Sequence, residues 1–102
     1  MNAIRRRFAE ENGMPADAVA RLVRLCNRRA RCAEHECNGD RHPENANPDD
    51  KNVNAALWGV CVDRAQEQIR ELVKPFGLVP DFGIGLFPVL KRGDRYVEVP
   101  YE

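Results

Sequence analysis

Two apolar stripes of helical period, each too wide to be left in water, set what this chain can fold into. At about 100° per residue, Val19, Leu22, Val23, Cys26, Ala30, Ala33 and Cys37 fall within one sector of a helical wheel. A second run places Leu57, Trp58, Cys61, Val62, Ala65, Ile69, Leu72 and Phe76 on one side, and Asp63, Glu67, Arg70 and Lys74 on the other. Neither stripe can bury itself. Two such helices joined by a short polar segment are expected to fold back as an antiparallel hairpin, each covering the other's apolar face.

The punctuation marks the ends. Pro15 suits a first helical turn and Asp17 lies near the positive end of the helix dipole, while Asn38-Gly39 offers a left-handed stop; this predicts a helix over 15–38. The polar stretch GDRHPENANP that follows has no period and reads as a loop. Pro48, Asp49 and Asp50 open a second helix over 49–74, which Pro75 and Gly77 end. Ahead of both, residues 2–12 form a short charged helix closed by Gly13.

The last quarter has a different character. Leu86–Leu90 and Arg95–Val99 are β-favouring runs around Lys91-Arg92-Gly93-Asp94, which predicts a β-hairpin over 84–99 with Pro88 on an edge. A lone hairpin is marginal in water, so it should lie on the helices or pair with a second copy, which makes a homodimer through this hairpin an expectation. The whole is expected to be a single α+β domain spanning 1–102, for which 102 residues suffice to bury about two thirds of the unfolded surface.

Composition narrows the chemistry. Sixteen basic residues balance sixteen acidic ones, so any basic patch is local. There is no serine and no threonine, which removes a Ser/Thr nucleophile, a P-loop ending in Lys-Ser/Thr and an N-glycosylation acceptor. The charged start MNAIRRRFAEENG is followed by no apolar run, and no stretch approaches the roughly 18 apolar residues of a membrane span. A cytoplasmic protein with no membrane association is the expectation, and there Cys26, Cys32, Cys37 and Cys61 would be thiols rather than bridges.

The densest chemistry lies in CAEHECNGDRH, residues 32–42. Cys32, His35 and Cys37 with Cys26, His42 or Cys61 supply soft ligands enough for a tetrahedral zinc site, but no knuckle spacing is present. On one helix, Cys26 and Cys37 lie with the apolar stripe, whereas Cys32 and His35 lie on nearly the opposite side. No metal, cofactor or catalytic residue is therefore expected, and a zinc-stabilised module stands as the third reading. Cys32 one turn before His35 would need a third orienting group to act as a nucleophile. Pairing the two long helices symmetrically about 43 and 44 sets Cys26 opposite Cys61 inside the hairpin. A separate feature is a basic ridge: Arg21, Arg24, Arg28, Arg31 and His35 fall within about 80° of one another, over about 20 Å of helix. It suits phosphates or an acidic protein surface, although no aromatic residues interleave with it for base stacking.

Glu34-His35-Glu36-Cys37-Asn38-Gly39-Asp40 resembles a helix end found in a group of small phage and prophage proteins, where E-x-x-C-N-G precedes a polar loop and a second long helix. Those proteins close with a glycine-containing, aromatic-bearing β segment, to which Gly85-Leu86-Phe87-Pro88 through Tyr96 is similar in kind. The resemblance covers residues 34–97. Many of its members carry an Asp-Pro-Arg-Gly turn where this chain has Lys91-Arg92-Gly93-Asp94. It implies a phage or prophage accessory protein and brings no activity, cofactor or mechanism with it. The shared pattern sets Glu34, Cys37 and Asn38 on adjacent positions of a last helical turn, with two readings: a simple cap, or a polar cluster of Glu34, Asn38, Asp40 and His42 reaching toward the hairpin. The function expected from sequence is a non-enzymatic interaction protein with a protein partner. A nucleic-acid-binding module using the arginine ridge is the alternative.

Overall fold

The computed structural model describes residues 2–33, 51–83, 85 and 87–101, with the helical backbone alone for residues 32, 33 and 51–61. Among these residues three α-helices precede a small sheet: α1 Ala3–Asn12, α2 Ala16–Ala33, α3 Lys51–Val73, a 3₁₀ turn Lys74–Phe76, then β1 Val79–Asp81, β2 Val89–Arg92 and β3 Arg95–Val97. The architecture is α+β, with α2 packed against α3 and the sheet closing the C-terminal end. The expected continuation of the first long helix to residue 38 lies outside the described residues.

Local chemistry explains each boundary. The Asn2 side chain caps α1 by accepting from the Arg5 amide at 2.8 Å, satisfying a donor that the first turn leaves without a partner. Gly13, at φ 65°, ends α1 in the left-handed region, and the Met14 amide returns to the Ala9 carbonyl at 3.0 Å. Phe8 and Met14, on either side of this reversal, both enter the core. Pro15 lies just before α2, its carbonyl taking the first helical bond from the Val19 amide at 3.1 Å. Beyond α3 the same device recurs: Gly77 adopts φ 72°, its amide bonds the Lys74 carbonyl, and the amide of buried Leu78 returns to the carbonyl of buried Val73.

Val19, Leu22, Val23 and Cys26 of α2 are buried against Ala65, Ile69 and Val73 of α3, as the two stripes require. Leu25 and Val73 also join this core, widening each stripe beyond its sequence outline. Asp63, Glu67, Arg70 and Lys74 are exposed.

The sheet departs from the expected hairpin in three respects. Among the described residues it has three antiparallel strands in the order β1-β2-β3, because Val79–Asp81 pairs with Val89–Lys91. This first strand is three residues long and holds Pro80, which an edge strand tolerates since its missing N–H faces away from the ladder. The β2–β3 turn is only Gly93-Asp94, with Gly93 at φ 61°, so Lys91 and Arg92 belong to β2. Pro88 is not on an edge: it is fully buried just before β2, its carbonyl accepting from the Tyr101 hydroxyl at 2.8 Å. Leu90, wholly buried, and Val97, opposite it in register, turn toward the helices, so the sheet leans on the core and is not an isolated ribbon.

Candidate functional site

The most developed polar arrangement is internal and centres on Arg29. This residue stands seven positions after Leu22 and three after Cys26, so the period of α2 delivers it to the apolar stripe and not to the basic ridge. It is 7% exposed. A guanidinium inside a core must spend its donors on acceptors, and these do. Nη1 donates to the Gly85 carbonyl at 3.2 Å and Nη2 to the Phe82 carbonyl at 3.3 Å. The Gln66 amide, oriented with its oxygen toward the fork, accepts from Nε at 3.0 Å and Nη2 at 3.2 Å. The ring of Phe82 meets two cations, with the Arg29 and Arg70 guanidinium carbons 4.9 Å and 5.1 Å from its centroid. Burial lowers the Arg29 pKa from its ordinary value, and the neighbouring Cys26 and Tyr101 oppose that shift. Arg29 thus ties α2 and α3 to the segment between β1 and β2.

Cys26 and Tyr101 complete this internal cluster. Burial pushes the Cys26 thiol up from 9.0 to about 11, against smaller lowering effects of a hydrogen bond with Tyr101 and of the Arg29 charge. Burial also raises the Tyr101 pKa strongly. The Tyr101 proton goes to Pro88 and its ring meets Phe87 edge-on at 5.0 Å. A thiol held protonated at neutral pH is a poor nucleophile and a poor metal ligand, so Cys26 is a core residue. The side chain of Cys61 is outside the described residues, as are Cys37 and the side chain of Cys32. Among the described residues no group of three or more His, Cys, Asp or Glu side chains is disposed to hold a metal ion.

The basic ridge is placed in part. Arg21, Arg24 and Arg31 are exposed along α2, and Arg28 is half-buried. Arg29, adjacent in sequence, points inward and adds nothing to the ridge. His35 lies outside the described residues, as do all four members of the helix-end cluster, Glu34, Asn38, Asp40 and His42.

A third feature was not anticipated from the sequence: a surface groove of about 700 Å³ between α1 and β3. Ile4, Arg7 and Phe8 line it from the helix, and Arg95, Tyr96 and Val97 from the strand. Phe8 and Val97 form its inner apolar part, whereas Ile4 and Tyr96 stand at its surface, 54% and 60% exposed. Arg92 reaches it too, with Nη2 donating to the Phe76 carbonyl at 2.8 Å, and Glu11 and Glu98 supply two carboxylates. Lys91 sits 5.2 Å over the Tyr96 ring. Its two walls come from opposite ends of the sequence, so no local pattern in the sequence announces it.

No family model, curated protein or solved structure matches the chain. Among the described residues, no helix is long and apolar enough to cross a membrane.

Proposed function

We propose that this chain is a small non-enzymatic interaction module, a phage or prophage accessory protein in context, that acts in the cytoplasm by binding a protein partner. One observation carries the reading: of the four large apolar side chains exposed among the described residues, Ile4, Val79, Phe87 and Tyr96, two, Ile4 and Tyr96, line a single groove. Exposed apolar groups gathered at a concave, polar-rimmed site are the usual mark of a binding surface. The internal polar residues support the same view, since Arg29, Cys26 and Tyr101 are committed to holding the fold. Selection of a random-peptide display library on the immobilised chain tests it. Enriched peptides should lose binding to both Ile4→Asp and Tyr96→Asp. Enrichment of nothing, or of peptides indifferent to both substitutions, removes the reading.

A second reading rests on the exposure of Arg21, Arg24 and Arg31 along one helix: a nucleic-acid-binding module whose guanidiniums meet phosphates. In a gel-shift titration its affinity should fall steeply with salt, and Arg21→Glu with Arg24→Glu should abolish the shift. Absence of any shift at low salt disposes of it.

A further inference from the structure

We propose that the α1–β3 groove takes an extended, acidic peptide that adds to β3 as a fourth strand; this rests on the interaction-module reading above and specifies its partner.

Among the described residues β3 is an edge of the sheet, with no strand on one side of its backbone. The two-residue turn makes Arg92 and Arg95 a hydrogen-bonded pair, and antiparallel pairs alternate. Lys91–Tyr96 is consequently the non-hydrogen-bonded pair, and the N–H and C=O of Tyr96 point outward, at the groove. An incoming strand can take both, while its alternate side chains face the groove's apolar interior at Phe8 and Val97. The dimensions agree. The ten residues of α1 make a wall about 15 Å long, which matches four or five extended residues at about 3.3 Å each.

Charge selects the occupant. Three guanidiniums, those of Arg7, Arg92 and Arg95, border the groove against two carboxylates, Glu11 and Glu98. Among the described residues Arg7 and Arg95 have no hydrogen-bond or ion-pair partner, so their forks remain available for bidentate contact with peptide carboxylates. A second copy of this chain would bring three further guanidiniums to the same place. An acidic peptide with β-branched apolar residues at alternate positions satisfies the backbone edge, the apolar interior and the charge together.

The test uses the full chain and the synthetic form of the most enriched library peptide. Hydrogen exchange followed by NMR should find the Tyr96 amide slowed at least about tenfold by the peptide, with N-methylation of a central peptide amide abolishing that protection. Arg95→Glu should weaken the peptide about tenfold and flatten its salt dependence. Peptides that need Ile4 and Tyr96 but leave the Tyr96 amide exchanging freely, or that are basic, overturn strand addition and leave the module reading standing. Failure to enrich any peptide defeats both. A Tyr96 amide already protected in peptide-free chain that sediments as a dimer overturns the proposal in favour of a second copy.

Discussion

Arg29 and Phe82 are joined twice over, since the guanidinium donates to the Phe82 carbonyl at 3.3 Å and also lies 4.9 Å over the centroid of the same residue's ring. One side chain of α2 thereby fixes both backbone and ring of the residue that follows β1. Replacing Arg29 with Ala strips partners from the carbonyls of Phe82 and Gly85 and from Gln66; Gly85 is exposed and the other two are half-buried, so water makes up part of the loss and each abandoned acceptor costs about 1 kcal/mol, the low end of the range. Arg29→Ala is expected to destabilise the fold by about 3 kcal/mol in urea unfolding at unchanged m-value. Arg29→Lys keeps the charge but not the planar fork, and should recover less than half of the loss. Equal stability of the Lys variant and the parent would show that charge alone matters there.

Cys26 and Tyr101 set how stability responds to alkali. The folded thiol titrates near 11 and the unfolded one near 9, so the protonated form is favoured by folding. The unfolded chain loses its proton first as pH rises, hence stability is flat up to about pH 9. It then falls by up to about 1.4 kcal/mol per pH unit as pH climbs toward 11. Tyr101, also raised, adds to the decline above about pH 10. Denaturant melts at closely spaced pH values should give Cys26→Ala a shallower slope between 9 and 11 despite its lower overall stability. A slope identical to the parent's would clear Cys26 of the effect.

The helical stripes were legible because burial and the 3.6-residue period agree at Val19, Leu22, Cys26, Ala65 and Ile69. Arg29 was hidden by its own chemistry. Its position, seven after Leu22, belongs to the stripe, but a charged residue is normally assigned to solvent, and acceptors brought from distant parts of the chain, Gln66 of α3 and the carbonyls of Phe82 and Gly85, make its burial tolerable. β1 left no pattern at all, since Val79-Pro80-Asp81 is neither alternating nor long, and it is a strand only because β2 lies alongside. The groove was unreadable for a simpler reason: Ile4 and Tyr96 are separated by nearly the whole chain, and no periodicity relates two walls that meet only in three dimensions.

Gly77 and Gly85 should respond differently to an added methyl group. At Gly77, φ is 72° and a Cβ meets nothing within 4 Å, so the penalty is conformational and not steric. Gly77→Ala is expected to cost about 1 kcal/mol, and Gly77→Asn less, since Asn tolerates the left-handed region better. Gly85 has no left-handed φ and equally open space, and it contributes its carbonyl to Arg29. Gly85→Ala should lie within about 0.5 kcal/mol of the parent. A large loss at Gly85 would mean that its backbone freedom matters for more than that carbonyl.

Gln68 offers a stabilising substitution. Its Oε1 is buried and, among the described residues, has no hydrogen-bond partner, so folding removes it from water without replacing the lost bond. It borders a shallow surface pocket of about 360 Å³, where Ala18, Leu72 and Phe76 offer apolar contact and Arg21 and Glu71 the charged rim. Methionine has nearly the same length and shape and carries no polar atom that demands a partner. Gln68→Met should therefore raise the melting temperature, by about 1 kcal/mol of added stability at most, while Gln68→Ala should lower it by removing packing as well. A Met variant less stable than the parent would mean that the Gln68 oxygen is satisfied in solution by a water lodged in that pocket.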